Sequence, residues 1–207
     1  MSWGTLRSMP ASIDGRTPAP ADARPKWLLD VDGVINAVAS KPDVSLWPAS
    51  AWVRTAARAG GRTYPILAAR PVLDFVGDVV ASGAAEVRWH TTWQHDAVAH
   101  LAPALGLPVL QVEDAPEFHA VGELPSGYAG GGHSAPTWWK LPAARRAIAA
   151  GRVLVWTDDD LASRTVQRAL AEEPIPADTT LLVAPRTDRG LTPRHLRTIA
   201  AFLGRWQ

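Results

Sequence analysis

Cysteine is absent from the 207 residues. Its absence removes disulfides, thiolate zinc sites and cysteine nucleophiles together, and matches the usage of a reducing compartment. An excess of one charge is missing too: 21 Lys and Arg against 20 Asp and Glu leave a net charge of +1. No overall field therefore drives the chain onto nucleic acid or membrane, although a local basic patch is compatible with that balance. No apolar run is long enough to span a bilayer. The N-terminal stretch carries Arg7 without a continuous apolar core behind it, which makes a poor signal peptide. Cytoplasm is the expected location. His-Glu-x-x-His is lacking, and the chain shows no internal repeat. What remains is an ordinary globular composition: 47% apolar and 20% charged residues in 22.2 kDa, enough for one sizeable core.

One stretch stands apart. Lys26-Trp27-Leu28-Leu29 runs straight into Asp30-Val31-Asp32-Gly33. A short apolar run bounded by turn signals reads as a buried strand of a parallel sheet. Alternation along a strand puts Asp30 and Asp32 on the same face. Two carboxylates at the carboxyl end of a buried strand are costly without a cation or hydrogen bonds. Ligands of open α/β sheets sit outside those strand ends. The stretch thus points to a divalent-metal site and a carboxylate nucleophile.

Around it the chain reads in order. Residues 1–24, with Pro10, Pro18 and Pro20 and no apolar period, are expected to be a disordered tail; residues 25–207 form the domain. Residues 36–69 are an irregular flap: Ala51–Ala59 fits a short helix or one arm of a hairpin, stopped by Gly60-Gly61, and Tyr64–Leu67 is extended. Pro71 opens a helix that stops at Gly83. Further strands are expected at 86–90, 108–112, 152–157 and 180–184. Helices are expected at about 94–105, 138–150 (capped by Thr137), 161–172, and from Thr192-Pro193 with Leu196, Ile199, Ala200 and Leu203 buried. Residues 113–136 form a long loop. Strands alternating with helices predict an α/β domain with a Rossmann-like, mostly parallel five-stranded sheet and no large cap domain.

Polar groups end several of these elements: Asp30 and Asp32, Thr91 with Thr92, Lys140, and Asp158 with Asp159. In that order they resemble the motifs of the haloacid dehalogenase-like (HAD) superfamily of phosphohydrolases. Its strand followed by Asp-x-Asp-Gly is matched by Asp30–Gly33. Its Ser or Thr after the next core strand is matched by Thr91, its Lys at a helix start by Lys140, and its acidic pair by Asp158 and Asp159. The resemblance covers about residues 26–205. Trp89-His90-Thr91-Thr92-Trp93, Trp156-Thr157-Asp158-Asp159 and Gly190-Leu191-Thr192-Pro193 are similar to the small HAD domains of Swiss Army Knife RNA-repair proteins.

The resemblance implies a phosphoester hydrolase working with Mg2+. Asp30 is then nucleophile and metal ligand, and Asp32 the proton shuttle, with its backbone carbonyl on the metal. Asp158 completes the ligand set, and Asp159 acts through water or orients Lys140. Thr91 and Lys140 bind the transferring phosphoryl group. Thr92, Trp47 and Arg54 are expected at the substrate. With Arg58, Arg62 and Arg70, Arg54 makes a basic face for RNA or DNA ends, or an ordinary solvated one. Phosphatase action on small nucleotides or sugars, and a catalytically idle binding module, are the alternatives.

Each motif also has a plainer reading. Asp158–Asp160 by themselves favour a helix N-terminus. Lys140 alone is most often a surface lysine, and Thr91 a cap. The Gly127–Gly132 segment lacks the Gly-Lys-Ser/Thr ending of a P-loop, and Val34–Ala37 lack the further acids of a calcium loop. His119 and His133 fall in the long loop. Trp47, Trp52, Trp138 and Trp139 are placed either to stack a base or sugar or simply to pack.

Overall fold

The computed structural model describes residues 24–113, 138–172 and 174–207. The expected tail up to residue 23, the loop residues 114–136 with His119 and His133, and the Thr137 cap lie outside the described residues. β1 (Lys26–Leu29) is the central strand, paired in parallel with β4 (Glu86–Trp89) on one side and β6 (Leu154–Thr157) on the other. β5 (Gln111–Val112) and β7 (Thr180–Val183) extend the two sides, giving the order β5-β4-β1-β6-β7, parallel throughout. The fold is α/β and compatible with a Rossmann-like architecture, as the alternation of elements predicted.

Side-chain alternation splits the core in two. Trp27, Leu29, Val87, Trp89 and Val155 pack with residues of α1 (Arg70–Ser82), α2 (Ala102–Leu105) and α5 (Pro193–Leu203). Leu28, Leu154 and Trp156 pack instead with α3 (Leu141–Ala149) and α4 (Arg164–Glu172). Leu28 and Leu29 are fully buried, each stabilising the fold by about 1.5–3 kcal/mol. Strands covered on both faces must be apolar at nearly every position, which is why β1 and β6 read as unbroken runs.

The expected Ala51–Ala59 segment is a strand. β2 (Trp52–Ala59) and β3 (Arg62–Ala69) form an antiparallel hairpin, turned by Gly60 and Gly61 at φ 55° and 75°. Two consecutive positive φ values suit a tight hairpin turn and favour glycine. Ile66, Leu67, Ala68 and Ala69 are buried, so the base of the hairpin belongs to the core while its tip stands in solvent.

Several boundaries differ from the expectation, each for a local reason. The 94–105 helix contains a π-helical segment over Ala97–Leu101, where the Ala102 N–H bonds the Ala97 carbonyl; Pro103 has no N–H to continue the α register. The third helix starts at Leu141 rather than Trp138, because Pro142 fits only a first turn. The 161–172 helix is divided: a 3-10 turn spans Asp159–Ala162, and Ser163 then accepts the Val166 N–H to open α4. In α5, Ala200 is exposed and Phe202 takes its place beside Ile199 and Leu203. The strand expected at 108–112 keeps only Gln111 and Val112.

Candidate functional site

β1 is where the winding of the sheet reverses, and such switch points open a crevice at the carboxyl ends of the strands. Asp30 follows β1 directly and Asp158 follows β6, so two neighbouring strands deliver them side by side. Their backbones continue the ladder one step: Asp30 N–H donates to the Thr157 carbonyl and Asp158 N–H to the Val183 carbonyl, each at 3.1 Å. Lys140, the residue before α3, reaches between them. Its ammonium donates to Asp30 Oδ2 at 2.8 Å and to Asp158 Oδ2 at 2.6 Å. All three groups are buried, Asp158 completely. Isolated ions at this depth would be strongly disfavoured, and mutual pairing offsets part of that cost.

Asp159 joins this group. One oxygen each of Asp30, Asp158 and Asp159 lies within 4.8 Å of the others. Three carboxylates and one ammonium leave a formal charge of −2 in the cluster. Burial pushes the Asp158 carboxyl well above the ordinary carboxylate range, against the pull of Lys140. It raises Asp159 as well, opposed by the Thr187 hydroxyl that donates to its Oδ2 at 2.5 Å. A divalent cation would remove that residual charge, and oxygen-only ligands suit a hard cation. The cluster thus has the donor set and charge to hold a metal ion.

Asp32 takes its own hydrogen-bond partners, while its carboxyl still feels the charges of Asp30 and Lys140. The strand ends at Leu29, so strand alternation does not set its direction. The chain instead turns around the Val31 carbonyl, which accepts the N–H groups of Val34, Ile35 and Asn36. Within this turn Asp32 Oδ1 accepts from Asn36 Nδ2 at 2.7 Å and Oδ2 from Trp93 Nε1 at 2.8 Å. Burial raises its carboxyl above the ordinary value, while these two donors oppose the rise. Gly33, at φ 71°, passes so close to Asp159 that any side chain would overlap it.

The remaining expected residues separate. Thr91 is fully buried, and its hydroxyl accepts the Trp93 N–H at 3.4 Å; Thr92 beside it is half-buried. Trp47 packs against the core and donates to the Leu191 carbonyl at 3.3 Å, and Trp52 donates to the Trp47 carbonyl. Trp138 and Trp139 are packing residues: both are buried, Trp138 stacks on Trp156 at 5.1 Å, and His90 lies between Trp139 and Trp156. Burial, then Lys140, pushes the His90 imidazole well below its usual value and keeps it neutral. Arg54 is exposed and lines a groove of about 400 Å³ between residues 36–40 and the hairpin, which Asn36 lines too. Arg58, Arg62 and Arg70 are exposed as well.

Asn36, Trp93 and Thr187 are the site residues whose roles sequence reasoning did not assign. Trp93 lies two residues past Thr91 and Asn36 four past Asp32, so proximity was a usable signal for both; Thr187 offered none. Among the described residues no helix is long and apolar enough to cross a membrane. The chain matches no protein-family model, no curated protein and no solved structure.

Proposed function

We propose that the protein is a Mg2+-dependent phosphomonoester hydrolase of the HAD type that works through an aspartyl-phosphate. The observation that carries this reading is the convergence of Asp30, Asp158 and Asp159 on one point, with Lys140 bonded to two of them. Asp30, Asp158 and Asp159 would hold the cation, with the Asp32 backbone carbonyl. When bound, it offsets the repulsion between an anionic carboxylate and an anionic phosphate. Asp30 attacks phosphorus as the bond to the leaving oxygen breaks, and the Asp32 carboxyl gives that oxygen a proton. Water then attacks the phosphorus of the aspartyl-phosphate, loses its proton to Asp32, and frees inorganic phosphate and Asp30. Lys140 and Thr91 stabilise the charge on the phosphoryl oxygens during transfer.

The substrate in this reading is a phosphate at the end of a polynucleotide. Support comes from the resemblance to RNA-repair domains and from the exposed Arg54, Arg58, Arg62 and Arg70 on and beside the hairpin. A panel of phosphate esters assayed with magnesium tests both levels. Phosphate release that Asp30→Asn abolishes is the expected result; undiminished turnover in that variant rules out Asp30 as nucleophile. Release from mononucleotides but not from phosphorylated oligonucleotides would assign a small-metabolite phosphatase. Cation binding without turnover on any ester would assign a binding module.

A further inference from the structure

We infer that Trp93 is a positioning residue for the acid–base carboxylate: with Asn36 it clamps Asp32 in one orientation and ties that orientation to the β2–β3 hairpin. The inference rests on the hydrolase reading above. Each oxygen of Asp32 receives one N–H, from Asn36 at 2.7 Å and from Trp93 at 2.8 Å. A carboxylate oxygen has two lone-pair sites, so among the described residues one on each is left for a leaving group or water. The terminal torsion of an aspartate is otherwise broad, and donors on both oxygens remove that freedom. An indole only donates, and the Asn36 amide is fixed as donor because its own Oδ1 accepts the Leu67 N–H at 2.9 Å. Neither partner can reverse its role.

The chain adopts an unfavourable local conformation to aim this indole. Gln94 has φ 48°, in the left-handed region that side chains seldom enter, and its amide donates back to the Thr91 carbonyl at 2.7 Å. That closes a turn over residues 91–94, of which Trp93 is the third. Trp93 is almost fully buried, so its ring also packs in the core beside this bond. Both clamp residues lead to the hairpin: Asn36 through Leu67, and Trp93 through Tyr64, whose ring lies 5.6 Å away. A leaving group resting on the hairpin therefore touches the element that holds the acid.

Two measurements test this. In nitrogen-15 spectra of the whole protein, the Trp93 indole N–H resonance should shift in Asp32→Ala; an unmoved resonance overturns the clamp, whatever the turnover. Trp93→Phe keeps an aromatic ring and removes the donor. With magnesium, the rate of its first turnover should fall about tenfold or more on an alkyl phosphate, whose leaving oxygen needs a proton. On 4-nitrophenyl phosphate, whose leaving group needs none, the first-turnover burst of nitrophenolate should keep its rate while steady-state kcat falls, because Asp32 also takes the proton of the hydrolysing water. Equal loss of the first-turnover rate on both esters, or none on either, overturns the positioning role. Inactivity of the unaltered protein on every ester would count against the hydrolase reading, and the indole resonance would still decide the clamp.

Discussion

Gly33 shows how narrowly single residues set this site. Its φ of 71° suits glycine, and the space where a Cβ would sit is filled by the Asp159 side chain, which Thr187 holds from the far side. Gly33→Ala is expected to destabilise the fold by about 1–3 kcal/mol through the left-handed backbone alone. It should also weaken divalent-cation binding by displacing Asp159. Urea denaturation and magnesium calorimetry read the two effects separately, and cation affinity equal to that of the unaltered chain would show that Asp159 is not a ligand. The acids themselves were legible in the sequence, because carboxylates beside apolar strand runs have few physical explanations. Their hydrogen-bond partners were not. Which donor reaches Asp32 depends on the Gln94 backbone, and no composition or period reveals a turn of that kind.

At the scale of elements, hydrophobic period identified the strands and helices but not their ends. Ends depend on local donors: the absent N–H of Pro103, the Ser163 hydroxyl, the first-turn place of Pro142. The hairpin was the least legible element, since β2 alternates small and polar residues and reads equally as helix or strand. Its base is fixed by the core, whereas its tip is held by the Gly60 N–H donating to Asp96 Oδ2 at 2.8 Å across an exposed surface. Asp96→Ala should leave global stability nearly unchanged and cost the tip about 1 kcal/mol. Hydrogen exchange at Gly60 should then rise roughly fivefold, with the β1 amides unaffected. Uniform acceleration across both would show that tip and core open together.

For the whole molecule, the acidic cluster couples stability to pH, and a cation bound there would couple it to that cation as well. Burial raises both Asp158 and Asp159 above the ordinary value of 3.8. Below that value both carboxyls are protonated in folded and unfolded chains alike. As pH rises through the raised folded values, the unfolded chain has already released protons that the fold retains, so this contribution to stability is lost. A cation that binds the ionised cluster reverses the trend. Magnesium at a hundred times its dissociation constant should stabilise the fold by about 2.7 kcal/mol at pH 7.5, and by less at pH 5, where protons compete. Thermal melts with magnesium or chelator at the two pH values measure this. A larger gain at pH 5 would show that these carboxylates are not the ligands.

The central place of β1 also has a bearing on how the chain is made. Synthesis produces β1 before either neighbour, and the Trp27 and Thr157 side chains that bond across the finished sheet are 130 residues apart. At ribosomal speeds that interval lasts on the order of ten seconds. β4 follows about 60 residues after β1 and can pair with one of its edges early, whereas the other edge waits for β6. The β1–β6 seam, which carries Asp30 and Asp158 side by side, is therefore the last contact of the central strand that a growing chain can complete.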